Sequence, residues 1–207
     1  MSELLNQSPP SASQMGFFRV PLVCEAAPHI GCGTRARPVL AEAEQASAVR
    51  EAWLNRDGTI LGVVWTDTAD PIQLRQALSR HGIAAVELQE EERRLAYNSF
   101  AGNSGWYRPS QMQALSIEEA RVIAARILRR LARDTALPIA TTEHLRRETE
   151  RACARTLAEA SAVSASMRRE QIASALMEAA RRILEPEALP AFQAAVSLGH
   201  RPLPGET

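Results

Sequence analysis

The chain contains no lysine; every basic residue is an arginine. That absence excludes Schiff-base chemistry on a lysine amine and any phosphate loop that depends on a lysine. Net charge is missing too. With 24 basic and 24 acidic residues among 207, no global field draws the chain to nucleic acid or to an anionic membrane surface. Aromatics make up 4% of the residues, and with alanine abundant this favours helices packed through small side chains. Cysteine is scarce: the three present are an odd number, outline no disulfide framework and suit a reducing compartment. No apolar run approaches the roughly 18–20 residues that span a bilayer. The Ser/Pro-rich segment from Met1 to Met15 has neither the basic nor the apolar stretch of a signal peptide. The expectation is a cytoplasmic protein of one or two domains, without a membrane partner.

Residues 1–15 read as a tail. Phe17 to Cys24 fits a strand that Pro21 pushes to an edge or a bulge. A helix is expected from Pro38, with the proline in its first turn. Glu51 to Asn55 and Thr59 to Thr66 read as strands joined by a tight turn, because Asp57-Gly58 supplies positive φ angles. Asp70 and Pro71 open a second helix that Gly82 stops, and Ile83 to Leu88 is a last strand. The order β-α-β-β-α-β over 16–90 predicts a ferredoxin-like α+β domain, two helices on one face of a four-stranded antiparallel sheet. Residues 91–115 are a connector that docks Trp106 and Tyr107. Ser116 to Glu119 reads as a capping box opening a helix with the stripe Ile117, Ala120, Ile123, Ile127 and Leu131. Helices follow around 142–160, 166–184 and 186–198, so 116–199 is an all-α domain ending in a tail, 200–207. Its alanine-rich stripes bury little area per residue, which predicts docking of a partner protein or self-association.

Chemistry concentrates between Cys24 and Thr34, where two cysteines and a histidine stand within eleven positions. Thiolate with imidazole suits soft and borderline ions such as copper, zinc or mercury. Cys32 is the principal candidate ligand, His29 the second, and Cys24 a third if the loop folds back. Gly31 and Gly33 shape the loop. Arg35 and Arg37, with the N-terminus of the following helix, would lower the Cys32 pKa. No catalytic cluster is apparent and no catalytic residue is assigned. Two alternatives stand beside metal binding. One is a regulatory interaction protein that binds no metal; the other is a thiol-dependent enzyme built on Cys32. Cys153, on the stripe with Leu145, Ala152 and Leu157, is expected to pack. The arginine pairs, interspersed with glutamates, read as solvated helix faces.

A thiol-bearing loop between the first strand and first helix of this order resembles the heavy-metal-associated domain of copper, mercury and zinc chaperones, over 17–88. In that family the loop reads Met-x-Cys-x-x-Cys. Here His29-Ile30-Gly31-Cys32 puts histidine in the place of the first cysteine and Cys32 on the second. The resemblance implies a metallochaperone-like module with an exchangeable two-ligand site. Ile30 to Thr34 is also similar to the glycine-rich first motif of S-adenosylmethionine-dependent methyltransferases. That fold needs a seven-stranded sheet, and the second half of the chain has no strand pattern.

Overall fold

A computed structural model describes residues 10–102, 104–159 and 165–206. Most of the expected N-terminal tail lies outside the described residues. The chain divides into two compact units, Met1–Leu22 with Ala36–Gln111 and Val23–Arg35 with Met112–Thr207. Among the described residues all strands precede Met112, and every element from there on is helical. The loop carrying Cys24 and Cys32 belongs to the unit made by the C-terminal helices. No helix among the described residues is long and apolar enough to cross a membrane.

The first unit is built on a five-stranded antiparallel sheet in the order β4-β1-β3-β2-β5. The strands are β1 (Met15–Arg19), β2 (Val49–Asn55), β3 (Ile60–Trp65), β4 (Val86–Glu87) and β5 (Trp106–Tyr107). β1 is shorter than predicted and starts earlier. Beyond it Val20 and Leu22 still donate to the Thr59 and Gly58 carbonyls, but Pro21 between them has no N–H and the regular ladder ends. The β2–β3 turn forms where Asp57-Gly58 predicts it: Gly58 has φ 73°, and Asn55 Oδ1 accepts from Thr59 N–H at 2.9 Å and Ile60 N–H at 2.8 Å.

Helix α1 (Gly33–Gln45) begins five residues before Pro38, which therefore lies inside it. Helix α2 (Pro71–Ser79) starts as predicted, with Asp70 Oδ1 accepting from the N–H groups of Ile72 and Gln73 at 3.1 and 2.9 Å. The stretch read as a connector contains helix α3 (Glu90–Ala101) and the short β5, so strand structure continues past Leu88. Phe100 of α3 packs on one sheet face with Met15, Phe17, Val64, Leu88, Ala96 and Trp106. Its ring meets Trp53, Trp106 and Phe17 edge-on at centroid distances of 5.4, 5.6 and 6.5 Å. Gly62 makes room for them, since a Cβ there would come within 3.1 Å of Phe17 and 3.2 Å of Trp106.

The second unit packs α4 (Met112–Asp134), α5 (Ile139–Glu159), α6 (Ala165–Arg181) and α7 (Leu189–Ser197). The predicted helices correspond closely, except at the start of α4. A 3-10 turn from Pro109 to Gln111 runs straight into it, so Ser116 is four residues inside the helix and caps nothing. Ala120, Ile123, Ile127 and Leu131 are buried as the stripe requires, whereas Ile117 is partly exposed.

All three tryptophans lie in the first unit, so their fluorescence reports its unfolding. Phe100→Ala removes the ring that three other aromatics enclose and should lower that unit's urea stability by about 3 kcal/mol. The fluorescence midpoint should fall while the helical signal at 222 nm from the second unit changes little.

Candidate functional site

Val23 pairs with Gly31 in an isolated antiparallel bridge, and Cys24 N–H donates to the Ile30 carbonyl at 2.8 Å. Residues 24 and 30 thus face each other, and Cys32, two positions beyond 30, projects to the same side. The loop folds back far enough to bring both thiols together. Cys32 immediately precedes α1, and its sulfur accepts the Arg35 N–H, capping the first turn. The start of α1 lies hard against α4: a Cβ on Gly33 would come within 2.5 Å of the Met112 carbonyl oxygen and 2.6 Å of Ser116 Oγ. Only glycine permits this approach. It sets the two thiols over the next turn of α4, which carries Glu119.

Ligand atoms of Cys24, Cys32 and Glu119 all lie within 4.8 Å of one another, and all three residues are buried. Cys32 is 8% exposed and Cys24 2%. Glu119 is 5% exposed, and its Oε2 has no hydrogen-bond partner. A buried carboxylate oxygen without a donor is costly, and a proton or a bound cation would each relieve it.

The three groups polarise one another. Cys24 is pushed well above the usual thiol range, first by donating its proton to Cys32, then by burial and by the charge of Glu119. Cys32 moves down, chiefly because Cys24 donates to it, with help from the N–H and charge of Arg35 against the opposing effects of burial and Glu119. Burial raises Glu119, offset in part by the Cys24 hydrogen bond and the charge of Arg168. Cys153 is fully buried and pushed up to about 12 by desolvation, as its place on the packing stripe implies.

His29 is exposed and lies outside the three-residue group. Arg35 and Arg37 are exposed on the first turns of α1, and Gly31 is the bridge partner of Val23. Glu119 is the member that sequence reasoning missed, because it fitted a capping box. Its spacing held a signal: Ser116, Glu119, Ile123, Arg126 and Arg130 recur at three- and four-residue intervals, so polar groups share the buried face of α4.

The arginines on that face are also buried, Arg126 at 1% and Arg130 at 2% exposure; Arg130, of the pair Arg129-Arg130, is thus not on a solvated face as expected. Arg126 Nη1 donates to the carbonyls of Ala26 at 2.7 Å and His200 at 2.6 Å. Arg130 donates to Glu206 through Nη2 at 2.7 Å and Nε at 3.1 Å, and to the carbonyls of Arg201 and Gly199. Arg201 pairs with Glu25. The C-terminal segment 199–206 is therefore clasped to α4 and tied to the loop beside Cys24.

No protein-family model, curated protein or solved structure matches this chain.

The clasp is acid-sensitive. Hydrogen bonds from Arg130, then the Leu203 N–H, hold Glu206 down to about 2 from its ordinary 4.5. A depressed carboxylate stabilises the fold fully above its unfolded value and loses that contribution as pH falls through the folded one. Wild type should therefore melt above Glu206→Gln by a constant margin from pH 5.5 upwards. That margin should shrink between about pH 4.5 and pH 2, read by circular dichroism.

Proposed function

We propose that this protein binds a soft or borderline metal ion through the thiolates of Cys24 and Cys32 and the carboxylate of Glu119. One observation carries the reading: a buried S, S, O donor set gathered from two segments, with one carboxylate oxygen left without a donor. Two sulfurs select for Zn(II), Cu(I) or Hg(II) over hard ions. The ion would satisfy the open carboxylate oxygen of Glu119 and join the 23–35 loop to α4. Binding would displace the Cys24 proton, so uptake releases acid.

The first unit is read here as ferredoxin-like. Its βαββαβ order and the neighbours β4-β1-β3-β2 support this. The likeness to heavy-metal-associated domains is carried forward only in the class of metal, with Glu119 and Cys24 joining Cys32 in the ligand set. A metallochaperone-like transfer to a protein partner, or self-association through the helices, belongs to the same proposal.

Full-length protein, metal-free and reduced, should bind one equivalent of Zn(II) in calorimetric titration. Perturbing groups around a metal's ligands costs about 10–100-fold in affinity, so loss of a ligand itself, in Cys24→Ser or Cys32→Ser, should cost at least about 100-fold. Glu119→Gln should cost about tenfold on the same scale. His29→Ala should bind like wild type. Absence of stoichiometric binding, or equal affinity in the Cys24→Ser/Cys32→Ser double variant, would overturn the reading.

A further inference from the structure

The two thiols form a couple in their own right, independent of any metal. Both sit on one side of a loop closed by the Val23–Gly31 bridge, and their sulfurs lie within 4.8 Å. A disulfide requires the sulfurs to close to about 2.05 Å. Nine residues from Cys24 to Cys32 leave enough chain for side-chain rotation and a small loop adjustment to do it. The two sulfurs are not equivalent. Cys32 stands at the N-terminus of α1, where its sulfur accepts the Arg35 N–H. At 8% it is also the most exposed of the three cysteines, with Cys24 at 2% and Cys153 at 0%. Cys32 is thus the less enclosed of the two sulfurs, with Cys24 beside it.

We propose that Cys24 and Cys32 are a reversible dithiol–disulfide couple oxidised by small hydroperoxides, with Cys32 the attacking sulfur and Cys24 the resolving one. The Cys32 thiolate attacks the peroxide's distal oxygen, the O–O bond breaks, and the alkoxide or hydroxide leaves and takes a proton from solvent. Cys32 is now a sulfenic acid. Cys24 then attacks that sulfur; the S–S bond forms, the S–O bond breaks, and the departing hydroxide takes the Cys24 proton as water. In sum two thiols and one peroxide give one disulfide, one alcohol or water, and one water. A dithiol reductant reverses it by two exchange steps, becoming a disulfide itself. Cys153, fully buried on the packing stripe of α5, takes no part. Oxidation also consumes both sulfur donors of the proposed metal group, leaving Glu119 alone.

The absence of lysine makes the test direct. Cleavage after arginine releases Val20–Arg35, which holds both cysteines, whereas Cys153 leaves on Ala152–Arg155. Metal-free, reduced full-length protein is treated with one equivalent of hydrogen peroxide, denatured, alkylated and digested. Val20–Arg35 should appear two hydrogens lighter and unalkylated, and should take two alkyl groups after dithiothreitol. Ala152–Arg155 should be alkylated throughout. In Cys24→Ser, Cys32 should accumulate sulfenic acid, trapped by dimedone at about tenfold or more over wild type. In Cys32→Ser, Cys24 should stay reduced. Full alkylation of Val20–Arg35 after excess peroxide would overturn the couple, as would over-oxidation of Cys32 without linkage or cross-linking between chains. Failure here is separable from failure of the metal reading, because reduced protein can bind Zn(II) without forming the disulfide, and the converse.

Discussion

The thiol site depends on how closely the start of α1 approaches α4. With a Cβ on Gly33 only 2.5 Å from a backbone carbonyl of α4, the two segments could not meet without moving main chain, and main chain is the least compliant partner in a packed interior. The Thr34 hydroxyl, which donates to the Leu157 carbonyl at 3.4 Å, ties the same turn to α5. Once α1 is seated there, the Cys32 backbone is held at the α1–α4 junction. The Val23–Gly31 bridge then returns the chain, and Cys24 arrives beside it. Local backbone pairing and a steric close approach, rather than any attraction between the thiols, assemble the group.

This assembly concentrates polar atoms where burial is expensive. Glu119, Arg126, Arg130 and Thr149 are all under 6% exposed, and each ionised side chain among them must be compensated. Arg130 is compensated fully, with Glu206 and two carbonyls. Glu119 is not: Cys24 engages the carboxylate, but Oε2 lacks a partner, as does Thr149 Oγ1. The contrast along one helix matters. Where the fold has arginines to neutralise it supplies a carboxylate and carbonyls from its own C-terminal segment. At Glu119 one carboxylate oxygen is left without a donor.

Much of the fold was legible because its signals are local. Asp57-Gly58 demands a tight turn whatever surrounds it, and Asp70-Pro71 starts a helix by satisfying its own first N–H groups. What was not legible depended on distant contacts. The stretch 91–115 reads as a connector, yet α3 forms over Glu90–Ala101, where Phe100 and Ala96 join the Phe17–Trp106 cluster. The short β5 exists only through Leu54 and Asn55. At the site, Cys24 and Cys32 were visible as thiols, but their meeting needed the loop bridge. Glu119 was masked by a stronger local pattern, the Ser116 capping box, which the upstream Pro109 turn makes unnecessary.

The lack of lysine acquires a structural sense at the clasp. Arg130 uses Nε, Nη1 and Nη2 at once, on a carboxylate and two carbonyls that lie in different directions. A lysine ammonium has three donors on one atom and could reach such spread acceptors only by losing some of them. Arg126 bridges two carbonyls from separate segments, Ala26 and His200, through a single nitrogen, while its Nε stays without a partner. Burial, with Arg130 and Arg129 nearby, lowers its proton affinity, but a guanidinium remains charged at any physiological pH where a buried ammonium could shed its proton. A permanent positive charge beside the Cys24 loop therefore persists across the range in which the thiols and Glu119 exchange protons. Arg126 thus holds the Ala26 and His200 carbonyls together whatever the protonation of the groups nearby.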